Sequence, residues 1–278
     1  VLEIKKIEKV TNHDVKAVEY YIRNFFKKDS VLKKYINLIH FGLTSEDINS
    51  LSYAIMINDG LKVYEKDLKN LNTNLKKLSS KWSNIPLLSR THGQAASPTT
   101  IGKEIKVFQM RIDREIKKLN SVVPLAKFSG AVGNHHAFDI AEGRINWITF
   151  TNKFIKTFNV AQNPVTTQIE PHDWIAELLQ TMTRTNNICI DMSQDMWIYI
   201  SNEIFKLKLN KNEVGSSTMP HKVNPIDFEN AEGNFGISNS LNDYFINKLP
   251  RSRLQRDLSD STISVSYTHL TLPTSDLV

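Results

Sequence analysis

Residues 61–82, LKVYEKDLKNLNTNLKKLSSKW, carry apolar side chains at alternating spacings of three and four. These apolar positions are Leu61, Tyr64, Leu68, Leu71, Leu75, Leu78 and Trp82. Such a seven-residue repeat is typical of the seam along which long helices pack in a bundle. Upstream, Thr44 or Ser45 can cap the helix, and acidic residues at 46 and 47 suit the positive end of its dipole. The pattern therefore predicts one long helix over about residues 45–82.

Further helices are predicted on both sides of this seam. The predicted ranges are 14–28 (with a stripe of Val15, Val18, Ile22 and Phe25), about 101–119, about 173–208, and about 225–248. Long antiparallel helices pack as an up-and-down bundle. The predicted fold class is all-α, a long antiparallel helical bundle. Four polar stretches at 40–47, 89–98, 129–136 and 213–225 are predicted to be loops, where functional residues concentrate.

Composition excludes several other classes of protein. Gly (10) and Pro (9) are scarce among 278 residues, which favours long helices over many short strands. The single Cys excludes a disulfide framework and a cysteine-based structural zinc site. No apolar run is long enough for a membrane span, and the opening VLEIKKIEKV is too charged for a signal peptide. The sequence thus predicts a cytoplasmic protein, and its first residue, Val1, predicts a fragment.

Charge gives no specific indication of a nucleic-acid partner. Lys and Arg number 35 and Asp and Glu 29, so the net charge is 35 − 29 = +6. The cations are dispersed over helical faces, without zinc-finger spacing, an RNP aromatic motif or a polybasic arm. We therefore expect neither a nucleic-acid nor a membrane partner.

The segment richest in chemical groups is residues 215–225, GSSTMPHKVNP. It combines glycine, three hydroxyls, the cation of Lys222, the amide of Asn224 and two prolines. A serine among such groups can act as a nucleophile or a base if its alkoxide is stabilised. A capped turn is the alternative interpretation of a serine-rich loop taken alone.

This segment resembles the signature loop of the fumarase/aspartase superfamily, GSSxMPxKxNP, and the longer stretch SSTMPHKVNPIDFENAEGN resembles its adenylosuccinate lyase branch. Six further segments resemble that branch in the same order: TNHDVKAVEY (11–20), HFGLTSEDIN (40–49), LLSRTHGQAASPTTIGKE (87–104), SGAVGN (129–134), TTQIEPHDW (166–174) and LQRDLSDST (254–262). The resemblance extends from about residue 3 to residue 263.

The resemblance implies a β-elimination in purine and AMP biosynthesis. Fumarate would leave adenylosuccinate to give AMP, and would leave succinylaminoimidazole carboxamide ribotide in the same way. The partners implied are this small nucleotide substrate and further copies of the chain, in a homotetramer whose active sites combine loops from three subunits. No metal and no cofactor are implied.

Roles for individual residues also follow from the resemblance. Ser216 matches the catalytic base, with Lys222 stabilising its alkoxide, and His92 matches the general acid, a role that the near-neutral pKa of imidazole suits. The implied substrate-binding positions are Asn12, His13, Asp14, Thr44, Ser45, Thr91, Gln168, Ser217, Lys222, Asn224, Asn230, Arg256, Ser261 and Thr262. Taken alone, His92 reads as a loop histidine and His13 as a helix-start residue. His172 is interpreted as structural.

The sequence departs from the branch at both ends. Nothing matches its N-terminal Arg-Tyr contact, and Val265 stands where an Arg is expected. We predict that residues 1–33 end an N-terminal domain, that 34–263 form the central bundle, and that 264–278 are a foreign or disordered tail. Two alternative functions remain open: a catalytically inactive helical scaffold, and a sister fumarate-releasing lyase such as one acting on argininosuccinate.

Overall fold

The computed structural model describes residues 1–208, 219 and 222–260. Its elements in chain order are α1 (Leu2–Thr11), α2 (Asp14–Lys28), a 3₁₀ helix (Leu32–Leu38), α3 (Ser45–Lys81), β1 (Pro86–Thr91), β2 (Gln94–Thr100), α4 (Ile101–Leu119), β3 (Leu125–Ala126), α5 (His136–Ala141), α6 (Trp147–Lys156), β4 (Ala161–Gln162), α7 (Asp173–Ser201) and α8 (Ile226–Lys248). The described part of the chain is mostly helical, as predicted. Its residues divide into two units, the first made of 1–61, 123–175 and 248–260, the second of 62–122, 176–208, 219 and 222–247.

The second unit is an antiparallel bundle of α4, α8 and the longer parts of α3 and α7. The backbone N–H of Gly102, at the start of α4, donates to the carbonyl of Trp82, just beyond α3. Polar pairs then run in opposite directions along neighbouring helices: Asn72–Gln109, Arg111–Asp191, Glu115–Arg184, Asn186–Asn239 and Trp197–Glu229. This order confirms the predicted antiparallel bundle.

The predicted seam of α3 faces the core of this unit. Leu68 and Leu75 are buried, and the other five seam residues are half-buried. The buried residues of α4 include Ile105, Phe108, Ile112, Ile116 and Leu119, which repeat at the same spacings. Helix α7 ends at Ser201, seven residues before the predicted end. The chain turns there because Glu203 adopts a left-handed conformation, with φ +59°, as at many helix C-termini.

A β-hairpin replaces most of the loop predicted over 89–98. Strands β1 and β2 pair antiparallel, from Pro86 opposite Thr100 to Thr91 opposite Gln94. The two linking residues, His92 (φ +52°) and Gly93 (φ +74°), both have the positive φ that a type I′ turn requires. His92 is thus fixed at the tip of a tight turn.

The apolar stripe predicted on α2, in the first unit, is wrong at Val18 and Phe25. Val15 is buried, but Val18 and Phe25 are exposed, and the carboxylate of Glu19 takes a buried position instead. Glu19 is tolerated there because it accepts hydrogen bonds from Lys16 (2.7 Å) and Arg23 (2.8 Å).

Within residues 1–208, 219 and 222–260, none of the helices combines the length and the apolar character needed to span a bilayer.

The chain's single cysteine offers a direct test of the bundle core. Cys189 is buried in α7, and burial raises the pKa of its thiol to about 11. Because the thiolate is the reactive form, iodoacetamide at pH 8 should alkylate the folded protein at least about 100-fold more slowly than the protein in urea. Mass spectrometry of timed samples measures both rates, and equal rates would contradict the buried position.

Candidate active site

The start of α3 forms the centre of the candidate site in the first unit. The backbone N–H of Thr44 donates to Asp47 Oδ2 (2.8 Å), and the Asp47 N–H donates to the Thr44 carbonyl (3.0 Å). This reciprocal pairing resembles a capping box and fixes the first turn. Thr44 and Ser45 are half-buried, whereas Glu46 and Asp47 are buried. The predicted helix start is confirmed, with two hydroxyls beside the open backbone N–H groups of a helix N-terminus, which favour anions.

His13 lies next to this turn. It is the N-cap of α2, where its Nδ1 accepts from the Lys16 N–H (3.3 Å). A neutral ring with Nδ1 as acceptor carries its proton on Nε2. That Nε2 lies 3.5 Å from Ser45 Oγ. The structure therefore brings together two predicted site residues that are 32 positions apart.

Asn12 and Asp14, on either side of His13, fix the backbone where α2 begins. Asn12 ends α1 in a left-handed conformation, with φ +51°, and turns the chain into α2. Asp14 Oδ1 accepts from the N–H of Val15 (2.7 Å) in the first turn of α2. All three residues of the predicted Asn12–Asp14 segment are exposed.

A backbone hydrogen bond links Gln168 to Gln255, the residue before Arg256. The Gln168 N–H donates to the carbonyl of Gln255 (3.2 Å), and the Gln168 side chain donates to the carbonyl of Ala131 (2.9 Å). Arg256 Nη1 pairs with Glu46 Oε1 at 2.9 Å, which ties the arginine to the start of α3. Its Nε is buried and finds no hydrogen-bond acceptor among the described residues. An anionic oxygen is the acceptor that such a donor suits.

A buried ion pair lies beneath the same turn. Lys127 Nζ is 2.5 Å from Asp47 Oδ1, and both side chains are almost completely inaccessible to solvent. Burial lowers the pKa of Lys127, and the facing carboxylate of Asp47 opposes that shift. No sequence pattern indicates this pair, because its members are 80 positions apart.

His40 lies shortly before the start of α3, and no sequence pattern marks it as a site residue. Its backbone is left-handed, with φ +63°. Burial lowers the pKa of its imidazole, although the charges of Glu19 and Asp47 oppose the shift. The lowered pKa favours the neutral form of this imidazole. The quoted segment HFGLTSEDIN contained it, but no pattern in that segment set it apart.

The glycine-rich loop 129–134 depends on a close backbone approach at Gly133. Gly133 has φ +81°, and a Cβ atom there would lie 1.9 Å from the carbonyl oxygen of Thr166. Gly133→Ala should therefore lower the free energy of unfolding by roughly 3 kcal/mol, from left-handed strain and overpacking together. Urea denaturation measures this change.

Gly233→Ala is the matched control for that substitution. Gly233 lies within α8, and an added Cβ would meet nothing within 4 Å. Alanine should stabilise this helix by about 0.5–1 kcal/mol. A similar loss of stability in both variants would contradict the role of the close approach at Gly133.

The remaining predicted residues are in the second unit or outside the described residues. Thr91 and His92 are exposed on the hairpin, and the Arg90 guanidinium donates to the Gly93 carbonyl (3.0 Å) to brace its turn. Lys222 and Asn230 are exposed and Asn224 is half-buried around the start of α8. Ser216, Ser217, Ser261 and Thr262 lie outside the described residues, as does the tail 264–278.

His172 has contacts that agree with the structural role predicted for it. It is buried, its backbone is left-handed (φ +62°), and its N–H donates to Glu170 Oε2 (2.7 Å). Glu170 also accepts from Asn163 Nδ2 (3.1 Å), so the carboxylate joins two segments of the first unit. In the part of the chain that the structure describes, no group of three or more His, Cys, Asp or Glu side chains is arranged to hold a metal ion.

Comparison with known proteins points to one group of relatives. The chain is 51% identical over 262 residues to adenylosuccinate lyase of Legionella pneumophila (strain Corby), covering 94% of this chain and 58% of the relative. It is 49% identical over 261 residues to adenylosuccinate lyase of Escherichia coli (strain K12), covering 94% of this chain and 57% of the relative. The chain thus spans somewhat more than half the length of the curated relatives that it matches.

Solved structures agree on the fold. The fumarate lyase of Mesorhizobium sp. BNC1 superposes with a TM-score of 0.77 at 17% identity, covering 96% of this chain and 57% of that one. The 3-carboxy-cis,cis-muconate lactonizing enzyme of Pseudomonas putida gives a TM-score of 0.75 at 18% identity, covering 95% and 57%. A family model described as "Lyase" matches residues 1–236. Since that match includes most of the residues, the chain belongs to this lyase family.

Proposed function

We propose that the protein encoded by the complete reading frame of this chain eliminates fumarate from adenylosuccinate to give AMP, and from succinylaminoimidazole carboxamide ribotide. A base removes the proton from the carbon beside a carboxylate. The electron pair left on that carbon forms the C=C bond of fumarate as the C–N bond breaks. The pair of the C–N bond goes to the nitrogen, and an acid protonates that nitrogen. Ser216 is the proposed base and His92 the proposed acid.

The observation that carries this proposal is the cluster of anion-binding groups around the start of α3. Ser45 lies 3.5 Å from His13, and Arg256, bound to Glu46, keeps a buried donor without an acceptor among the described residues. A substrate with two carboxylates and a phosphate needs several such donors. The identity of about 50% to adenylosuccinate lyases over 94% of this chain supports the same substrate class.

The remaining substrate-binding assignments belong to the same proposal. Thr44 and Ser45 bind a substrate carboxylate, with Asn12, His13 and Asp14 beside them. Arg256, Ser261 and Thr262 bind the phosphate. The binding set is completed by Thr91, Gln168, Ser217, Lys222, Asn224 and Asn230, and the chemistry uses no metal or cofactor.

A homotetramer in the cytoplasm is part of this proposal, with active sites that combine loops of several subunits. The second unit leaves large apolar side chains exposed on its helices, including Val63 (64% exposed), Ile237 (64%) and Tyr244 (48%). Further copies of the chain are suitable partners for such surfaces.

The proposal is tested by incubating the protein, expressed from the complete reading frame, with adenylosuccinate. Chromatography should show AMP and fumarate in equal amounts. A parallel panel with succinylaminoimidazole carboxamide ribotide, argininosuccinate and aspartate distinguishes sister lyases. AMP plus fumarate should also raise the melting temperature. A folded protein with no turnover and no thermal shift would instead support the inactive scaffold.

A further inference from the structure

We propose that Asp47 is a positioning residue that keeps the Thr44–Ser45 turn and Gln168 in fixed register for one substrate carboxylate. The inference rests on the proposed function and adds a residue to which that function assigns no role. Asp47 itself is 3% exposed and so acts through its neighbours.

The Asp47 carboxylate is surrounded by hydrogen-bond donors. Oδ2 accepts from the Thr44 N–H (2.8 Å) and the Gly130 N–H (3.1 Å). Oδ1 accepts from the Ser129 N–H (2.9 Å) and from Lys127 Nζ (2.5 Å). Three backbone N–H groups and one ammonium thus fix the carboxylate, and the carboxylate joins the helix start to a loop more than 80 residues away.

Hydrogen bonds connect the same loop to Gln168. The Gln168 side chain donates to the carbonyl of Ala131, the residue after Gly130, at 2.9 Å. Ser129 Oγ lies 3.1 Å from Thr166 Oγ1, two residues before Gln168. A displacement of the Ser129–Gly130 backbone would therefore also displace the amide of Gln168.

The buried ion pair of Asp47 and Lys127 specifies the register of the two segments. A buried ion pair contributes little net stability, because desolvating both charges offsets their attraction, whereas such pairs can specify a register. Lys127 strengthens the register here by donating to the Gly130 carbonyl as well (3.0 Å). An apolar pair of similar volume would fill the same space without fixing the direction of either segment.

The test is Asp47→Asn in the protein expressed from the complete reading frame. The amide keeps one acceptor but places its NH₂ against N–H donors. We expect kcat/KM for adenylosuccinate to fall at least tenfold, mostly through a higher KM, because Thr44, Ser45 and Gln168 bind substrate rather than move protons. A merely structural role would lower the amount of active protein, and hence apparent kcat, and leave KM unchanged.

Glu115→Gln is the matched control, because it removes the carboxylate charge from the Arg184–Glu115 pair (3.1 Å) of the second unit. It should leave KM unchanged. Slow alkylation of Cys189 in each variant shows that the bundle core of the second unit is folded, and a cooperative urea denaturation curve shows the same for the first unit. A folded Asp47→Asn enzyme with the wild-type KM would overturn the inference, whereas an inactive wild type would overturn the proposed function.

A second variant addresses the case in which Asp47→Asn does not fold. Asp47→Asn combined with Lys127→Met removes both charges, so that no unpaired ammonium stays buried. The double variant should fold and still show the raised KM. Wild-type kinetics in the folded double variant would likewise refute the positioning role.

Discussion

Replacing Ser216 by alanine is expected to lower turnover of adenylosuccinate by at least about 1,000-fold, because no other group is proposed to remove the proton. Substrate binding should persist, since the substitution deletes one hydroxyl and leaves the remaining binding groups intact. Steady-state kinetics measure the first effect, and the thermal shift caused by adenylosuccinate measures the second.

Ser80→Ala is the control for this loss. Ser80 is exposed on α3 in the second unit, and alanine at such a position should leave kinetics unchanged. If the Ser216→Ala enzyme kept more than a tenth of the wild-type turnover, the base would have to be another residue.

His92→Asn is expected to lower turnover by about 100- to 10,000-fold, the range for loss of a general acid. Asparagine is chosen because it accepts the positive φ of a type I′ turn, which His92 adopts at +52°. The hairpin should therefore keep its stability while the imidazole is lost. Kinetics and the melting temperature of the same sample measure both effects.

Gly93→Ala, at the neighbouring position, is expected to lower the stability of the hairpin while the His92 side chain is kept. Gly93 has φ +74°, and an added Cβ would meet no atom within 4 Å, so only backbone strain is introduced. The free energy of unfolding of this variant should fall by about 1 kcal/mol. The imidazole of His92, the proposed acid, stays in place. Normal turnover in His92→Asn would show that the residue at the tip serves the turn alone.

The helices could be predicted from the sequence because their apolar spacing is regular. Helix α3 begins at Ser45 and ends at Lys81, one residue from the predicted range. The hairpin could not be predicted in the same way, because Pro98, Gly93 and several polar residues are typical of loops. Its turn depends on positive φ angles at two consecutive residues, His92 and Gly93. Only Gly93 is of a residue type that indicates a positive φ in the sequence.

The candidate site could be predicted only where a motif names its residues. His13, Thr44, Ser45, Gln168 and Arg256 were found through the resemblance, and their contacts in the first unit bring them near one helix start. Asp47 and Lys127 were missed because a buried pair formed across 80 residues leaves no local periodicity. The exposed Val18 and Phe25 were misassigned for a similar reason, since neither periodicity nor hydrophobicity anticipates a buried Glu19.

The pairing of Glu46 with Arg256 has a consequence for synthesis of the chain. The ribosome must add 256 − 46 = 210 residues after Glu46 before its partner exists. At about 5–20 residues per second, this interval lasts roughly 10–40 s. During that interval the carboxylate of Glu46, which is buried in the folded chain, stays hydrated. The nascent polypeptide cannot complete this part of its structure. Contacts between residues this far apart in the sequence form slowly, and protection by chaperones is valuable until they form.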